Sequence, residues 1–410
     1  MKFSYASLLI AALSSTPSAF AFAPRSKASD VTVSNSKLLA NKSGAGIATV
    51  PAGDRKLFDP EVEGMMGGTT SLDRRLKDGI NFKPLYFPSD DDVSVPPPPV
   101  DGTVEAQAWL EDIGVPQNFA KPTAPVTATV LGRARLISDD APGDIQHVVL
   151  KLPEGFHYVE GQSISVIPPG VQENGKSNKP RLYSIASTRY GDLLDGQTVS
   201  LCVRRAEYYD PETNQVDDSK QGVCSKFLCE RTPGMTVQVA GPVGKTMLLP
   251  TDPNTDIIMV ATGTGIAPFR AFLHRLFMEN TSARQLFTGK AWLVLGVPTT
   301  GGLLYPAEID AMKDNAAATG LNNFEVTYAI SREMKNQQGG KLYVQDALAE
   351  QADKLFDRLQ DGAQIYFCGL KGMMPGILVA LEQVAVSRGM DWSTFQKQLQ
   401  ANHQWHVEVY

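Results

Sequence analysis

The segment Arg181-Leu-Tyr-Ser-Ile-Ala-Ser-Thr188 carries one cation and one aromatic ring two residues apart. In an extended chain residues i and i+2 face the same side, so guanidinium and phenol share a face. A guanidinium so placed can fork onto a phosphate while the ring lies against a flat conjugated group. The hydroxyls of Ser184, Ser187 and Thr188 add hydrogen-bonding groups. Taken alone, the octet reads equally well as an amphipathic strand with a surface arginine.

Four further stretches carry related chemistry. Ala261-Thr-Gly-Thr-Gly-Ile-Ala-Pro-Phe269 lies between an apolar run and a helical pattern. Gly263 and Gly265 there let backbone approach a ligand closely, and a helix start offers free N–H groups to a phosphate. A tight strand–helix turn without a ligand is the plain alternative, since the full G-x-G-x-x-G fingerprint is not met. Ser331-Arg332, followed by Lys341-Leu-Tyr-Val-Gln345, combines a hydroxyl, a guanidinium, an ammonium and a ring. Such a set suits an adenosine bearing a 2′-phosphate, hence NADP(H) rather than NAD(H). A solvated basic surface beside Gly339-Gly340 would look the same. Gly222-Val-Cys-Ser225 opens a short helix whose N–H groups can hold a diphosphate, or is simply a turn. The chain end, Trp405-His-Val-Glu-Val-Tyr410, is aromatic and β-branched, as though its last residue must be buried against something.

These groups need elements to position them. From Val126, short apolar segments recur at Ala128–Ile137, Ile145–Leu152, Ser163–Ile167, the octet, Thr198–Arg205 and Val237–Ala240, with one helix at Ser225–Glu230. Turn residues such as Pro142-Gly143 and Pro168-Pro-Gly170 separate them, which predicts a small antiparallel barrel over 121–250. After Pro250 the rhythm changes. Strands are expected at Ile257–Ala261, Ala291–Val297, Glu325–Ile330 and Ile365–Cys368. Helices are expected between and after them, at Ala267–Phe277, Ala307–Asn315, Val344–Leu359 and Gly376–Val386. That alternation predicts a parallel sheet wound by helices, an α/β domain over 251–410. The fold class is therefore β plus α/β.

The net charge of -6 over 410 residues argues against a general nucleic-acid binder. Cys202, Cys224, Cys229 and Cys368 make no C-x-x-C and have no histidine at zinc spacing, so no metal site is expected. They read as small buried residues in a reducing compartment. Lys2, the apolar run Ala6–Leu13 and the small residues Ala19 and Ala21 form a signal peptide over 1–21. The basic, hydroxylated stretch from Phe22 begins a transit peptide, and the aperiodic remainder to residue 120, with Pro96-Pro-Pro-Pro99, reads as disordered linker. Together these resemble the bipartite presequences of algae whose plastids have extra bounding membranes.

From Val126 to Tyr410 the motifs, in this order, resemble those of the plant-type ferredoxin–NADP+ reductases. The matching stretches are Arg181–Ser184, Leu201–Arg204, Gly222–Ser225, Gly241–Lys245, Thr262–Pro268, Ser331-Arg332, Cys368–Leu370 and Glu408–Tyr410. The resemblance implies an FAD-binding barrel followed by an NADP-binding domain. It implies that Arg181, Leu182, Tyr183, Ser184, Cys202, Val203, Arg204, Tyr208, Gly222, Val223, Cys224, Ser225 and Thr264 hold FAD. It implies an NADP path along Lys245, Thr264, Val297, Pro298, Ser331, Arg332, Lys341, Tyr343, Gln345, Gly369, Leu370 and Glu408. Tyr183 and Tyr410 would sandwich the flavin ring, with Ser184, Cys368, Glu408 and Tyr410 around the point of hydride transfer. Arg204 departs from the lysine many relatives carry, with charge kept. The implied activity moves electrons from two reduced ferredoxins through FAD to NADP+ as a hydride, making NADPH in photosynthesis. Flow from NADPH to ferredoxin, or a docking subunit without catalysis, stays open at this point. The implied partner is ferredoxin, or flavodoxin in its place, and Lys176, Lys179, Arg189 and Lys226 are candidates for its docking face. The expected location is the plastid stroma, with peripheral thylakoid association.

Overall fold

The computed structural model describes residues 115–410, apart from 173, 194–195, 214, 218–219 and 280–281. The expected signal peptide and the expected leader as far as residue 114 lie outside the described residues, but 115–120 do not continue a disordered linker: the Asn118 and Ala120 N–H groups donate to the Pro242 and Gly241 carbonyls at 2.8 and 3.0 Å.

Strands β1 (Val126–Arg135), β2 (Ile145–Lys151), β3 (Ser163–Ile167), β4 (Arg181–Ser184), β5 (Thr198–Arg204) and β6 (Thr236–Val243) form one antiparallel sheet. Their order is β4-β3-β6-β1-β2-β5. Ile185 bridges Leu201, and the Ala186 N–H donates to the Ser200 carbonyl at 2.7 Å, joining the two ends of the sheet into a barrel. β1 alternates buried with half-buried residues, the period of a strand with one face on a core. Its bulge between Val130 and Gly132 bends it around the barrel. Val148, Leu150, Val199, Leu201, Val237 and Val239 fill the interior. β1 starts two residues before its expected position, and β6 runs on to Val243. Helix α1 (Val223–Cys229) also starts two residues early.

The second sheet begins at β7 (Ile257–Thr262), followed by α2 (Ala267–Leu273), α3 (Ser282–Leu286), β8 (Ala291–Val297), α4 (Pro306–Ala318) and β9 (Phe324–Ile330). Then come α5 (Val344–Ala349), α6 (Ala352–Gln360), β10 (Gln364–Gly369), α7 (Met374–Ser387), α8 (Trp392–Ala401) and β11 (Trp405–Val409). All five strands are parallel, in the order β11-β10-β7-β8-β9. β7 is apolar throughout because both of its faces are covered. Ile257, Met259 and Ala261 pack with α2 and α4, while Ile258 and Val260 pack with α5, α6 and α7. Leu136, Ala186, Cys202 and Met247 join the first of these clusters, so the barrel and the α/β sheet share one core.

Chain order puts β8 and β9 on one side of β7 and β10 and β11 on the other. The resulting switch point lies between the carboxyl ends of β7 and β10, where ligands of such sheets bind. Two helical expectations need correction, and two helices were not expected. Ala267–Phe277 is α2 continued by a π turn over His274–Met278. Val344–Leu359 is broken between α5 and α6. Helix α8 was not expected at all, nor was α3.

Candidate functional site

β4 lies along β3 and places Arg181, Leu182 and Tyr183 on one wall of a groove of about 630 Å³. Arg204 at the end of β5 and Gly222, Val223, Cys224 and Ser225 at the start of α1 form the other wall. The turn into α1 demands glycine. A Cβ on Gly222 would sit 2.6 Å from the Ala206 Cβ and 2.8 Å from the Ser225 Oγ. Ser225 Oγ fixes that turn by accepting from the Ala206 N–H at 3.0 Å. No carboxylate among the described residues pairs with Arg181 or Arg204. Leu182, Val223 and Tyr208 meanwhile leave 62%, 56% and 41% of their surfaces exposed around them. Two unpaired guanidinium groups ringed by apolar surface suit a ligand that is part anion and part flat ring. These residues therefore fit the phosphates and rings of FAD. Burial pushes the Tyr183 phenol well up, beside the Cys224 thiol, so the ring stays neutral.

A second group of side chains meets at the switch point. The Gly263–Ile266 turn leaves β7 so close to β10 that a Cβ on Gly265 would fall 2.1 Å from the Cys368 carbonyl oxygen. Gly369 has φ +125, and a Cβ there would press on Thr262. The Ser184 hydroxyl of the barrel lies beside the Cys368 thiol at the end of β10, as do Glu408 of β11 and Cys202 of β5. Burial pushes the Cys368 thiol up to about 12, so it is a thiol and not a thiolate. Burial also raises the Glu408 carboxyl. Gly244, just before Lys245, comes within 4.0 Å of Glu408 Oε1, measured from the position of an added Cβ. Tyr410 is tied down three times: its N–H donates to the Gly369 carbonyl, its own carbonyl accepts from Lys371, and its phenol lies 2.8 Å from Thr264 Oγ1. The residue as a whole is nevertheless 65% exposed, so no protein core covers it. The terminal strand pairs through backbone, and the ring stands over the switch point instead of in a core.

The third group follows the carboxyl ends of β8 and β9. Val297 and Pro298 accept the backbone N–H groups of Ser331 and Arg332 at 3.0 and 2.9 Å, leaving the Arg332 side chain exposed. Lys341 and Tyr343 are exposed just beyond, with the Tyr343 N–H held by Asp346 Oδ2 at 2.8 Å as the cap of α5. Gln345 packs against Gly376, and exposed Leu370 donates its N–H to Thr262 Oγ1 at 2.7 Å. Hydroxyl, guanidinium, ammonium and ring thus share the strand-end edge of the sheet.

One docking candidate fails on geometry. Arg189 donates to Glu160 at 2.8 Å with only 9% of its side chain exposed, so it cannot meet a partner protein. Lys179 lines the groove itself.

Sequence reading missed the charged seam between barrel and α/β sheet. Arg270, His274 and Arg275 come from α2 and its π turn. They face Asp192, Glu308 and Glu160, all at 2.7 to 3.7 Å. His147 joins the seam, 2.7 Å from Asp192 and 3.0 Å from the Tyr305 hydroxyl. The available signal was a set of ionisable residues inside an apolar helix, which a helical pattern alone assigns to solvent.

A profile described as an oxidoreductase NAD-binding domain matches residues 259–378. The chain is 52% identical to a chloroplastic ferredoxin–NADP reductase of Arabidopsis thaliana, a root isozyme, over 299 residues, or 72% of this chain and 77% of the relative. It is 42% identical to a ferredoxin–NADP reductase of Picosynechococcus over 379 residues, 92% of each chain. Among solved structures, the ferredoxin–NADP+ reductase of Plasmodium falciparum with 2′P-AMP aligns with a TM-score of 0.55 at 24% identity. That alignment covers 72% of this chain and 99% of the other, and supports the fold alone. With half its residues shared over most of a curated relative, and with motifs in family order, the chain belongs to the ferredoxin–NADP reductase family.

Proposed function

We propose that this protein is a plastid flavoenzyme that takes electrons from ferredoxin and delivers them to NADP+ as a hydride. The observation that carries the reading is the meeting of Ser184, Cys368, Glu408 and Tyr410 at the switch point. Bound FAD supplies the conversion of single electrons into a hydride. The chain supplies position. Arg181, Arg204 and the 222–225 turn are read as the anchors of the FAD phosphates, with Tyr183 and Tyr410 as the aromatic walls. Ser184 and Glu408 are the groups able to move a proton, and the raised Glu408 carboxyl keeps its proton to higher pH than an exposed one. Ser331, Arg332, Lys341 and Tyr343 hold the 2′-phosphate and adenine, with Val297, Pro298, Gln345, Gly369 and Leu370 along the path. The deciding experiment is the visible spectrum of the purified protein before and after NADPH is added. Flavin bands that bleach support the reading, and a colourless protein rejects it.

Tyr410 occupies the entrance that a nicotinamide would need. Its ring must swing out, giving up roughly 1 kcal/mol of stacking. Tyr410→Ser is therefore expected to tighten nicotinamide binding by about fivefold and to erode the preference for NADP over NAD. Titration of both oxidised cofactors checks this; an unchanged ratio of the two affinities rejects the gate.

The opposite net flow, from NADPH to ferredoxin, draws support from the similarity to a root isozyme, since roots work without light. Rates measured in both directions with one ferredoxin separate the two. Flavodoxin as a substitute carrier and peripheral thylakoid attachment extend the reading and rest on the resemblance alone. We keep 1–21 as a signal peptide and place the start of a transit peptide at Phe22. The Picosynechococcus alignment is longer than the stretch 115–410, so part of the residues before 115 is shared with that relative.

A further inference from the structure

Arg270 sits in α2 with 4% of its surface exposed, one turn beyond the Gly263–Ile266 turn that carries Thr264. Its guanidinium joins both halves of the protein. Nη1 donates to the Ala186 carbonyl at 2.8 Å and to Asp192 Oδ1 at 2.9 Å, both on the barrel side. Nε and Nη2 fork onto Glu308 of α4 at 2.7 and 3.1 Å, and the cation rests 4.8 Å from the centre of the Tyr305 ring. Ala186 is two residues past Ser184. The same side chain therefore ties the strand end that carries Tyr183 and Ser184 to the helix that carries Thr264 at its start, and Thr264 holds Tyr410.

We propose that Arg270 is a positioning residue for hydride transfer, fixing the register of the 183–184 edge against the 264–410 floor. The inference rests on the flavoenzyme reading above. The donor side of the reaction belongs to the barrel and the acceptor side to the α/β sheet, so their separation is set wherever the two are clamped. Hydride transfer is steep in that separation, and a displacement near 1 Å costs about a hundredfold in rate. A buried guanidinium with planar, forked donors is stiff in a way an ammonium is not. Arg270 touches neither ligand path, so its loss leaves the groove and the 2′-phosphate edge intact.

The test uses the full FAD-loaded chain and Arg270→Lys, which keeps the charge and loses the fork. The rate of flavin bleaching at saturating NADPH is expected to fall by about a hundredfold, while the KM for NADPH and the FAD bound per chain stay unchanged. Deuterium exchange of the holoenzyme without NADPH is expected to speed up at residues 185–187 and 263–266 and nowhere in the groove. A wild-type bleaching rate, or a rate that falls only in step with FAD loss, overturns the proposal. Should Arg270→Lys not fold, Glu308→Gln, which weakens the same fork from the other side, must show the same split, and equal rates there overturn it. A wild-type protein that NADPH does not bleach would overturn the flavoenzyme reading instead, which keeps the two failures apart.

Discussion

Arg332→Ala is expected to raise the KM for NADPH by about tenfold to a hundredfold and to leave NADH use nearly untouched. A hydrogen bond between charged groups contributes about 1.5–3 kcal/mol, and each 1.4 kcal/mol is a factor of ten. Arg332 is the fork-shaped donor on the strand-end edge, and its backbone is held by Pro298. Removing the side chain should therefore not move the turn. Lys341 remains as a point charge, so binding weakens without vanishing. NADH has no 2′-phosphate and never uses the contact. Steady-state rates with both cofactors, using an artificial electron acceptor, decide the matter. Equal rises in KM for the two would mean that Arg332 shapes the loop and does not recognise the phosphoryl group.

The place of Arg332 was legible because it needs only local order: a strand end, then a hydroxyl, then a cation. The same holds for the Gly263–Ile266 turn, whose strand and helix are contiguous in the chain, and for the barrel, whose short apolar strands are set apart by turn residues. What the sequence hid depends on distant partners. Arg270 and Glu308 are 38 positions apart and Arg270 and Asp192 are 78 apart, so no window along the chain pairs them. A helix with ionisable residues on one stripe is ordinarily amphipathic, and here the stripe faces a second domain instead of water. Arg189 misled for the same reason, since Glu160 lies 29 positions away and takes its charge. Helix α8 shows only Trp392, Phe395 and Leu399 as buried residues in an otherwise polar segment, too thin an apolar stripe to stand out. The break between α5 and α6 falls at Glu350-Gln351, without glycine or proline, so tertiary packing and not propensity sets it. Tyr410 is a different case. The β11 backbone and one phenol contact hold it while the residue stays mostly exposed, a placement that its aromatic type alone does not give.

The charged seam also sets how the fold responds to mutation and acid. Glu308 is 1% exposed and accepts from Arg270 and His274. Burial alone would push its carboxyl up, but the charges of Arg270 and His274 outweigh that and hold it down to about 2. Glu308→Ala removes the acceptor and leaves a guanidinium buried with half its partners. Breaking a buried pair in this way costs about 3–5 kcal/mol, which for a chain of this size lowers Tm by on the order of 10 °C. Glu308→Gln keeps the shape and part of the hydrogen bonding, and should lose less. The acid dependence follows from linkage. A carboxyl near 4.5 in the unfolded chain and near 2 in the folded one contributes fully above 4.5, and loses that contribution as pH falls toward 2. The stability gap between wild type and Glu308→Ala should therefore be widest at neutral pH and close progressively below 4.5. Thermal unfolding measured across that range decides it. A gap that stays constant to the acid limit would mean that Glu308 acts by filling space and that its charge contributes nothing.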